Sequence, residues 1–336
     1  MERDLRLLRL EFPGLYSPGT GGSLRHVDRF QRYRGALLGL AAGDALGTTL
    51  EFKPPGTFKP LGDMVGGGPF RLKLGEWTDD TSMALCLAES LIECGGFDPR
   101  DQMERYVRWR SDGYLSSNGR CFDIGGTIAE ALRRFEVTKE PLNGSTDPRS
   151  AGNGSIMRLA PVPLFYARSP REAIDRSGES SRTTHATAVC VDACRYLGAL
   201  IVGAVNGVTK TDLLGDHYSP DPGCWQERPL TAEIAEIAAG SFKRREPPEI
   251  KGTGYVVRSL EAALWALHRS QSFREGCLLA VNLGDDADTT GAVFGQVAGA
   301  LYGEQGIPEA WRSSLTLRET IEWCATRLCE LSEARP

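Results

Sequence analysis

The stretch NLGDDADTTGAVFGQVAGALYG at residues 282–303 passes from a turn at Gly284 into a helix of small residues. Glycine and alanine recur along this helix at Gly291, Ala292, Gly295, Ala298, Gly299 and Ala300. Because small side chains let neighbouring helices approach closely, we predict that this helix lies at the centre of the fold.

The first turn of that helix is acidic. Asp285, Asp286 and Asp288 place three carboxylates within four residues, and Thr289 and Thr290 follow them. A helix N-terminus offers only about half a positive charge, so these carboxylates repel one another unless a cation or strong donors compensate. An acidic N-cap is the simpler alternative. However, the acidic turn lies beside the helix of small residues that should pack most closely, where solvated charges are uncommon. We therefore favour a hard-metal site, because hard cations prefer clustered carboxylate and hydroxyl oxygens.

A second helix with regularly spaced glycines is predicted near the start of the chain. In YRGALLGLAAGDALGTTLEF, at residues 33–52, Gly35, Gly39 and Gly43 recur every four residues and therefore share one helical face. This spacing predicts a buried helix that packs closely against another helix. Glu51 follows just beyond the end of this helix.

Another acidic helix start lies about two hundred residues before the first one, at Thr78, Asp79 and Asp80. It follows a Pro- and Gly-rich loop at residues 53–76, whose length is typical of a functional loop such as a substrate lid. If this N-terminus meets the segment 286–289, the combined oxygens would suit two octahedral magnesium ions that share carboxylates. Two such cations could hold a substrate's vicinal oxygens and activate a water. Two independent N-caps are the alternative interpretation.

Two more stretches could face this site, and each has a plainer explanation. Asp123, in CFDIGGT, opens a further helix and could be an ordinary cap. The loop GNGSIMR includes Asn153, Gly154 and Ser155, and its exposed backbone N–H groups suit a phosphate or diphosphate. Asn-Gly is also common in turns that bind nothing, so this signal is weak.

A histidine and a tyrosine complete the candidates. His185 lies near the start of a long helix, where a histidine is more often structural than a ligand. Gly254 and Tyr255, in GTGYV, form a predicted turn whose aromatic ring could cover a ribose or a base. An ordinary loop with a half-buried tyrosine is the commoner explanation of that pattern.

Helical periodicity dominates the rest of the chain, and strand-like alternation is almost absent. Besides those already described, helices are predicted at about 99–111, 126–136, 155–167, 170–179, 184–205, 230–244, 254–269, 272–281 and 316–331. We therefore predict an all-α fold, a compact helical bundle that forms one domain over residues 33–336. Residues 1–32 are charged and contain a Gly-rich joint, which predicts an extension that is either disordered alone or docked on a partner.

Composition narrows the classes of function. With 41% hydrophobic and 25% charged residues, the 336-residue chain is typical of a globular protein. The net charge of -5 comes from interspersed charges of both signs, so neither a nucleic acid nor a membrane is an expected partner. Nine scattered cysteines without a CxxC pair are typical of core thiols and predict a reducing, cytoplasmic location.

Taken in order, the segments GALLGLAAGDALG, WTDDTSM, CFDIGGT, GNGSIMR, THAT and GDDADTTGA resemble the ADP-ribosylglycohydrolase family. This family includes dinitrogenase-reductase-activating glycohydrolases and the hydrolases of ADP-ribosylarginine and ADP-ribosylserine. The resemblance spans about residues 33 to 305. It implies an all-α orthogonal bundle with a cleft that holds a binuclear Mg²⁺ (or Mn²⁺) centre.

The resemblance also implies roles for individual residues. It assigns the metals to Thr78, Asp79, Asp80, Asp286, Asp288 and Thr289. It assigns the reaction to Glu51, Asp79, Asp80 and Asp123. It assigns the ADP-ribose pocket to Asn153, Gly154, Ser155, His185, Gly254 and Tyr255. The hypothesis that follows is hydrolysis of the C1″ bond to a modified side chain through an oxocarbenium-like state, with a carboxylate handling the proton.

The family resemblance leaves several questions open. The motifs do not distinguish an arginine acceptor from serine, and arginine is our first choice. The extension at residues 1–32 could bind an ADP-ribosyltransferase toxin whose modification the protein reverses. Two rival hypotheses are an immunity module that mainly occludes such a toxin, and a different two-metal hydrolase that acts on a phosphorylated nucleotide.

Overall fold

The structure, a computed structural model, describes residues 27–335, and within this range it contains helices and isolated bridges but no sheet. The α-helices are α1 (Arg29–Gly47), α2 (Asp79–Cys94), α3 (Pro99–Asp112), α4 (Gly126–Thr138), α5 (Pro161–Phe165), α6 (Pro170–Ser181), α7 (Ala188–Val205), α8 (Lys210–Leu213), α9 (Cys224–Glu227), α10 (Ala232–Ala238), α11 (Ser241–Arg244), α12 (Val256–Arg269), α13 (Phe273–Val281), α14 (Ala287–Tyr302), α15 (Glu309–Ser314) and α16 (Arg318–Ala334). Short 3-10 helices lie at Thr48–Leu50, Pro148–Ser150 and Glu304–Gly306. The prediction of an all-α fold is confirmed.

Helices α1 and α14 form a close antiparallel pair at the centre of the fold. A Cβ atom added to Gly35 would lie only 2.1 Å from the carbonyl oxygen of Gly299, and one added to Gly47 would lie 2.4 Å from that of Ala287. The same close approach joins Gly39 to Gly295 and Gly43 to Gly291. Because the pair is antiparallel, the end of α1 lies beside the start of α14, which carries the acidic cluster.

Other helices surround this pair. Helix α16 packs on α1, whereas α7, α12 and α13 pack on α14. By length and composition α7 could cross a membrane, but 83% of its apolar window is buried inside the protein. Burial of this kind is typical of a core helix.

Several predicted helices differ from the observed ones in their bounds, and for three of them the structure shows the reason. The helix predicted at 155–167 is limited to α5, because Gln296 bonds the backbone that precedes it. Its side-chain amide donates to Ile156 O (3.0 Å) and Met157 O (2.9 Å) and accepts from Ala160 N (2.7 Å). The helix predicted at 230–244 is two helices, α10 and α11, separated by Gly240 with a φ of 81°. Helix α7 begins later than predicted because the Thr187 side chain caps it.

The predicted loop at residues 53–76 is non-helical and is tied down by contacts with the body. The Asn282 side chain accepts from Leu61 N (2.7 Å) and donates to Leu61 O (3.0 Å). Nearer the other end, Thr316 N donates to Gly75 O at 3.0 Å. Its suggested role as a lid stays a prediction.

The N-terminal boundary is only partly described. Helix α1 begins at Arg29, before Tyr33, and the Asp28 side chain caps it by accepting from Gln31 N at 2.8 Å. Residues 1–26 lie outside the described residues. The division at residue 32 and the partner-binding arm therefore stay predictions.

Candidate active site

Asp44, on α1, fixes the N-terminus of α2. Its fully buried carboxylate accepts from Thr78 N (2.8 Å) and Oγ1 (2.9 Å) and from Thr81 N (3.1 Å) and Oγ1 (2.6 Å). Burial raises the pKa of Asp44 to about 6, although these hydrogen bonds oppose the shift. Asp44 is absent from the residues predicted from sequence. A signal was present, because it is the one acidic residue in the glycine-spaced stretch GALLGLAAGDALG.

The two acidic helix starts meet at this point. Thr289 Oγ1, on α14, donates to Asp80 Oδ1 on α2 at 3.2 Å, and Thr78 Oγ1 donates to Asp288 Oδ2 at 3.3 Å. Carboxylate oxygens of Asp44, Asp80 and Asp288 lie within 4.8 Å of one another. Segments that are far apart in sequence therefore present their oxygens to one small volume.

A second group of oxygens adjoins the first. Carboxylate oxygens of Glu51, Asp123 and Asp288 also lie within 4.8 Å of one another. Asp288 belongs to both groups, so one carboxylate lies between two clusters that could each receive a cation.

No internal cation balances these carboxylates. None of the ion pairs within residues 27–335 includes a residue of either group. Burial, followed by repulsion from Asp123, raises the pKa of Glu51 to about 9. Burial likewise raises the pKa of Asp123 to about 7 and holds the pKa values of Asp79, Asp80 and Asp288 well above the usual range.

Two buried oxygens in this cluster lack partners. Glu51 Oε2 and Asp80 Oδ2 are inaccessible to solvent and accept no hydrogen bond. Burying an unpaired carboxylate oxygen is costly, and hard divalent cations prefer oxygen ligands of this kind. The acidic cluster therefore fits a metal ion.

The cluster opens onto a cavity of about 360 Å³. We call one side the acidic wall: Glu51, Asp79, Asp123, Asp286, Asp288 and Thr289. We call the other side the neutral wall: Gly152, Asn153, Gly154, His185 and Gly254. Phe52, Met157 and residues 124–128 complete the lining, and none of them was predicted individually as a site residue. Thr78 and Asp80 lie behind the acidic wall, outside the lining.

His185, in the neutral wall, is held in one protonation state. Arg158 Nη2 donates to Thr184 Oγ1 at 2.7 Å, and Thr184 Oγ1 lies 2.9 Å from His185 Nδ1. Because the arginine can only donate, the threonine proton is free to bond Nδ1, which leaves the ring proton on Nε2. Burial, and then the charge of Arg158, lower the pKa of His185 to about 3, so the ring is neutral at pH 7.

Asn153 connects the two walls. Its side-chain amide donates to Asp286 Oδ2 at 3.0 Å and to Ser259 Oγ at 3.3 Å. Its backbone N–H donates to Gly254 O at 3.0 Å, and Asp286 N donates to Gly252 O at 2.8 Å. Three stretches selected from sequence are thereby joined at the cavity.

Two predicted substrate contacts lie outside the cavity lining. Ser155 is buried, and its hydroxyl accepts from Ser181 Oγ at 2.9 Å. Tyr255 is 40% exposed and forms an antiparallel bridge with Gly152, so it lies next to the neutral wall. Their roles in binding ADP-ribose stay predictions.

Fold and site together define a class: an all-α protein with a buried carboxylate cluster that could hold metal at the floor of a cavity. The family model described as ADP-ribosylglycohydrolase matches residues 25–336. The chain therefore belongs to the ADP-ribosylglycohydrolase family and is a glycosyl hydrolase. This confirms the resemblance drawn from the motifs.

Individual relatives support the assignment. The chain is 43% identical over 301 residues to an ADP-ribosylarginine hydrolase Tri1 of Serratia proteamaculans, covering 90% of this chain and 80% of the relative. It is 32% identical over 295 residues to the ADP-ribosyl-[dinitrogen reductase] glycohydrolase of Rhodospirillum rubrum, covering 85% and 91%. A solved structure titled ADP-ribosylglycohydrolase-related protein complex aligns with a TM-score of 0.79 at 43% identity, covering 91% of this chain and 99% of that one.

Proposed function

We propose that this protein removes ADP-ribose from modified arginine side chains by hydrolysing the C1″ glycosidic bond. The observation that carries the proposal is the contact between the two acidic helix starts, at Thr289–Asp80 and Thr78–Asp288, directly behind the acidic wall of the cavity. Relatives at 43% and 45% identity that are named ADP-ribosylarginine hydrolases support arginine as the acceptor.

We further propose that the cofactor is a pair of Mg²⁺ or Mn²⁺ ions. The residues that would hold them are Thr78, Asp79, Asp80, Asp286, Asp288 and Thr289. Two groups of mutually close carboxylate oxygens share Asp288, which supports a pair rather than a single ion. Of the proposed ligands, Asp80 and Asp288 belong to these groups, which Asp44, Glu51 and Asp123 complete. When bound, such ions would polarise sugar hydroxyls and make a water more acidic.

The protein's own groups divide the remaining work. Glu51 lines the cavity and has one oxygen without a partner, so it is suited to transfer a proton to the leaving group. Asp123 lies within reach of Glu51 and would orient it. On the neutral wall, His185 Nε2–H and the backbone around Asn153 and Gly154 offer hydrogen-bond donors for hydroxyl or phosphate oxygens.

Alanine substitution of the central carboxylates tests the proposal. We expect Asp286→Ala and Asp288→Ala to reduce ADP-ribose release from an ADP-ribosylarginine peptide by at least about a thousandfold. Bound metal, measured by elemental analysis, should fall in parallel. Asp216→Asn, at an exposed surface pair with Lys243, is the control and should keep the wild-type rate. A wild-type rate with full metal content in either alanine variant would refute the assignment.

The biological setting is a further part of the proposal. In this setting the enzyme would act in the cytoplasm and reverse the ADP-ribosylation made by a toxin. The extension at residues 1–32 would contact that toxin. Deleting residues 1–26 tests that role separately from hydrolysis. Unchanged protection against an arginine-specific ADP-ribosyltransferase, with unchanged turnover, would remove the toxin-binding hypothesis and leave the enzyme intact.

A further inference from the structure

A run of three phenylalanine rings begins at the cavity with Phe52 and continues beyond its lining. Phe52 lines the cavity and is nevertheless 66% exposed. Its ring centroid lies 6.3 Å from that of Phe70, and the Phe70 centroid lies 5.2 Å from that of Phe122. Phe70 and Phe122 are half-buried. A large exposed apolar side chain such as that of Phe52 adds nothing to the core, so its placement at a polar cavity calls for another explanation.

The backbone at Phe52 is strained. Its φ of 60° is in the left-handed region, which is unfavourable for a bulky residue. Two hydrogen bonds to the acidic loop hold it there: Phe52 N donates to Asp285 O at 2.7 Å, and Asp285 N donates to Lys53 O at 2.9 Å. Strain of this kind persists where the surroundings enforce it, commonly at functional sites.

The charges around the rings favour a cation. Phe52 directly follows Glu51 and Phe122 directly precedes Asp123, so each of these two rings is next in the chain to an acidic residue that lines the cavity. No lysine or arginine is present among the described residues that line the cavity. A planar guanidinium stacks well on aromatic faces and pairs with carboxylates.

We propose that Phe52, Phe70 and Phe122 form an aromatic shelf that binds the guanidinium group of the modified arginine. The proposal rests on the proposed hydrolysis of ADP-ribosylarginine and assigns its acceptor side. The shelf contacts the leaving group and not the ADP-ribose. It therefore determines which acceptor is cleaved, since a serine-linked ADP-ribose has no planar cation to stack.

Leucine substitutions separate the aromatic face from apolar bulk. We expect Phe52→Leu and Phe122→Leu each to lower kcat/KM for an ADP-ribosylarginine peptide by about tenfold. Phe52→Tyr, which keeps the ring, should stay within about twofold of wild type. The affinity for free ADP-ribose, measured by calorimetry with Mg²⁺ present, should not change. Phe30→Leu is the matched control, because Phe30 is 39% exposed near the opposite end of α1.

The outcomes distinguish this inference from the proposed function. An unchanged kcat/KM in the leucine variants of an active wild-type enzyme would overturn the shelf alone. A parallel loss of ADP-ribose affinity would also overturn it, because the rings would then belong to the ADP-ribose pocket. Failure of the wild type to release ADP-ribose from the arginine peptide would instead refute the proposed function, and the shelf with it.

Discussion

The acidic wall and the neutral wall line the same cavity, yet they balance charge in different ways. Behind the neutral wall, Arg158 is 1% exposed and has its cation satisfied by neighbours: Gly154 O, Thr183 Oγ1, Thr184 Oγ1 and the face of Tyr106. In the acidic wall, Asp288 is 2% exposed and faces other carboxylates.

This difference shows which part of the site is complete without a ligand. The hydrogen bonds of the neutral wall form without a ligand. Arg158 donates to neighbouring oxygens, and the remaining ring proton of His185 is directed to the cavity. In contrast, buried oxygens of Glu51, in the acidic wall, and of Asp80, behind it, have no hydrogen-bond partners. Unpaired buried charge is unfavourable, so the acidic cluster is suited to hold an external cation, whereas the neutral wall is not.

Removal of divalent cations is expected to give the largest effect, and it should act through the acidic wall. We expect chelation with EDTA followed by desalting to lower turnover of an ADP-ribosylarginine peptide by more than about a thousandfold, because the acidic wall loses its balancing charge. Added Mg²⁺ or Mn²⁺ should restore the rate. The far-ultraviolet circular dichroism spectrum should keep its helical form. A metal-free sample, verified by elemental analysis, that kept the full rate would contradict the charge argument.

A single methyl group added between α1 and α14 should destabilise the fold that supports both walls. A Cβ at Gly43 would lie 2.0 Å from Gly291 O, so we expect Gly43→Ala to lower the free energy of unfolding by about 3 kcal/mol. Urea denaturation provides the measurement. Gly62→Ala is the matched control, because a Cβ there has nothing within 4 Å. Equal stabilities for the two variants would show that α1 and α14 can separate without cost.

The pH dependence of the stability of the metal-free protein should report mainly on the acidic cluster. Glu51 has its pKa raised from 4.5 to about 9, and Asp123 has its pKa raised from 3.8 to about 7. A carboxyl with a raised folded-state pKa adds stability below its unfolded pKa, and that stability is lost as pH rises through the folded value. We expect the free energy of unfolding of the metal-free protein to fall between pH 5 and 9, measured by urea denaturation.

Saturating Mg²⁺ provides the contrast for that experiment. The bound cation favours the ionised carboxylates, so it should reduce or reverse the loss of stability at high pH. His185 contributes little in this range, because its pKa of about 3 keeps the ring neutral throughout. A metal-free protein that became more stable from pH 5 to 9 would contradict the predicted sign.

Sequence alone predicted the parts of this molecule that repeat with a helical period. The glycines at 35, 39 and 43 and at 291, 295 and 299 indicated two central helices, and these pack against each other. The acidic starts at Asp79 and Asp286 stood out because their charge exceeds what capping needs. The prediction of an all-α fold followed from the near absence of the alternating apolar and polar residues that are typical of strands.

Contacts between distant segments could not be predicted in the same way. Asp44 looks like an ordinary helix residue until the fold brings Thr78 and Thr81 to its carboxylate. Phe52 has no local pattern, since its exposure depends on a backbone held by Asp285. The helix predicted at 155–167 is longer than the observed one, because Gln296, far along the chain, bonds the backbone before α5. Each case depends on tertiary structure that no local period encodes.

The smallest predicted effect concerns the neutral wall. Thr184→Val keeps the side-chain shape but removes the hydroxyl between Arg158 and His185, so the ring can move its proton from Nε2 to Nδ1. We expect a rise in KM of about tenfold with a smaller change in kcat, because a donor toward the substrate is lost in part of the population. Metal content should not change.

Thr183→Val is the matched control for that change. Thr183 is equally buried and also accepts from Arg158, at 3.3 Å, but the structure gives its hydroxyl no bond to His185. Nitrogen-15 NMR of the imidazole ring should therefore show a shifted tautomer balance in Thr184→Val and not in Thr183→Val. If both variants raised KM with unchanged ring signals, the prediction would be wrong. Arg158 would then support the neutral wall through packing, and not by fixing the position of the His185 proton.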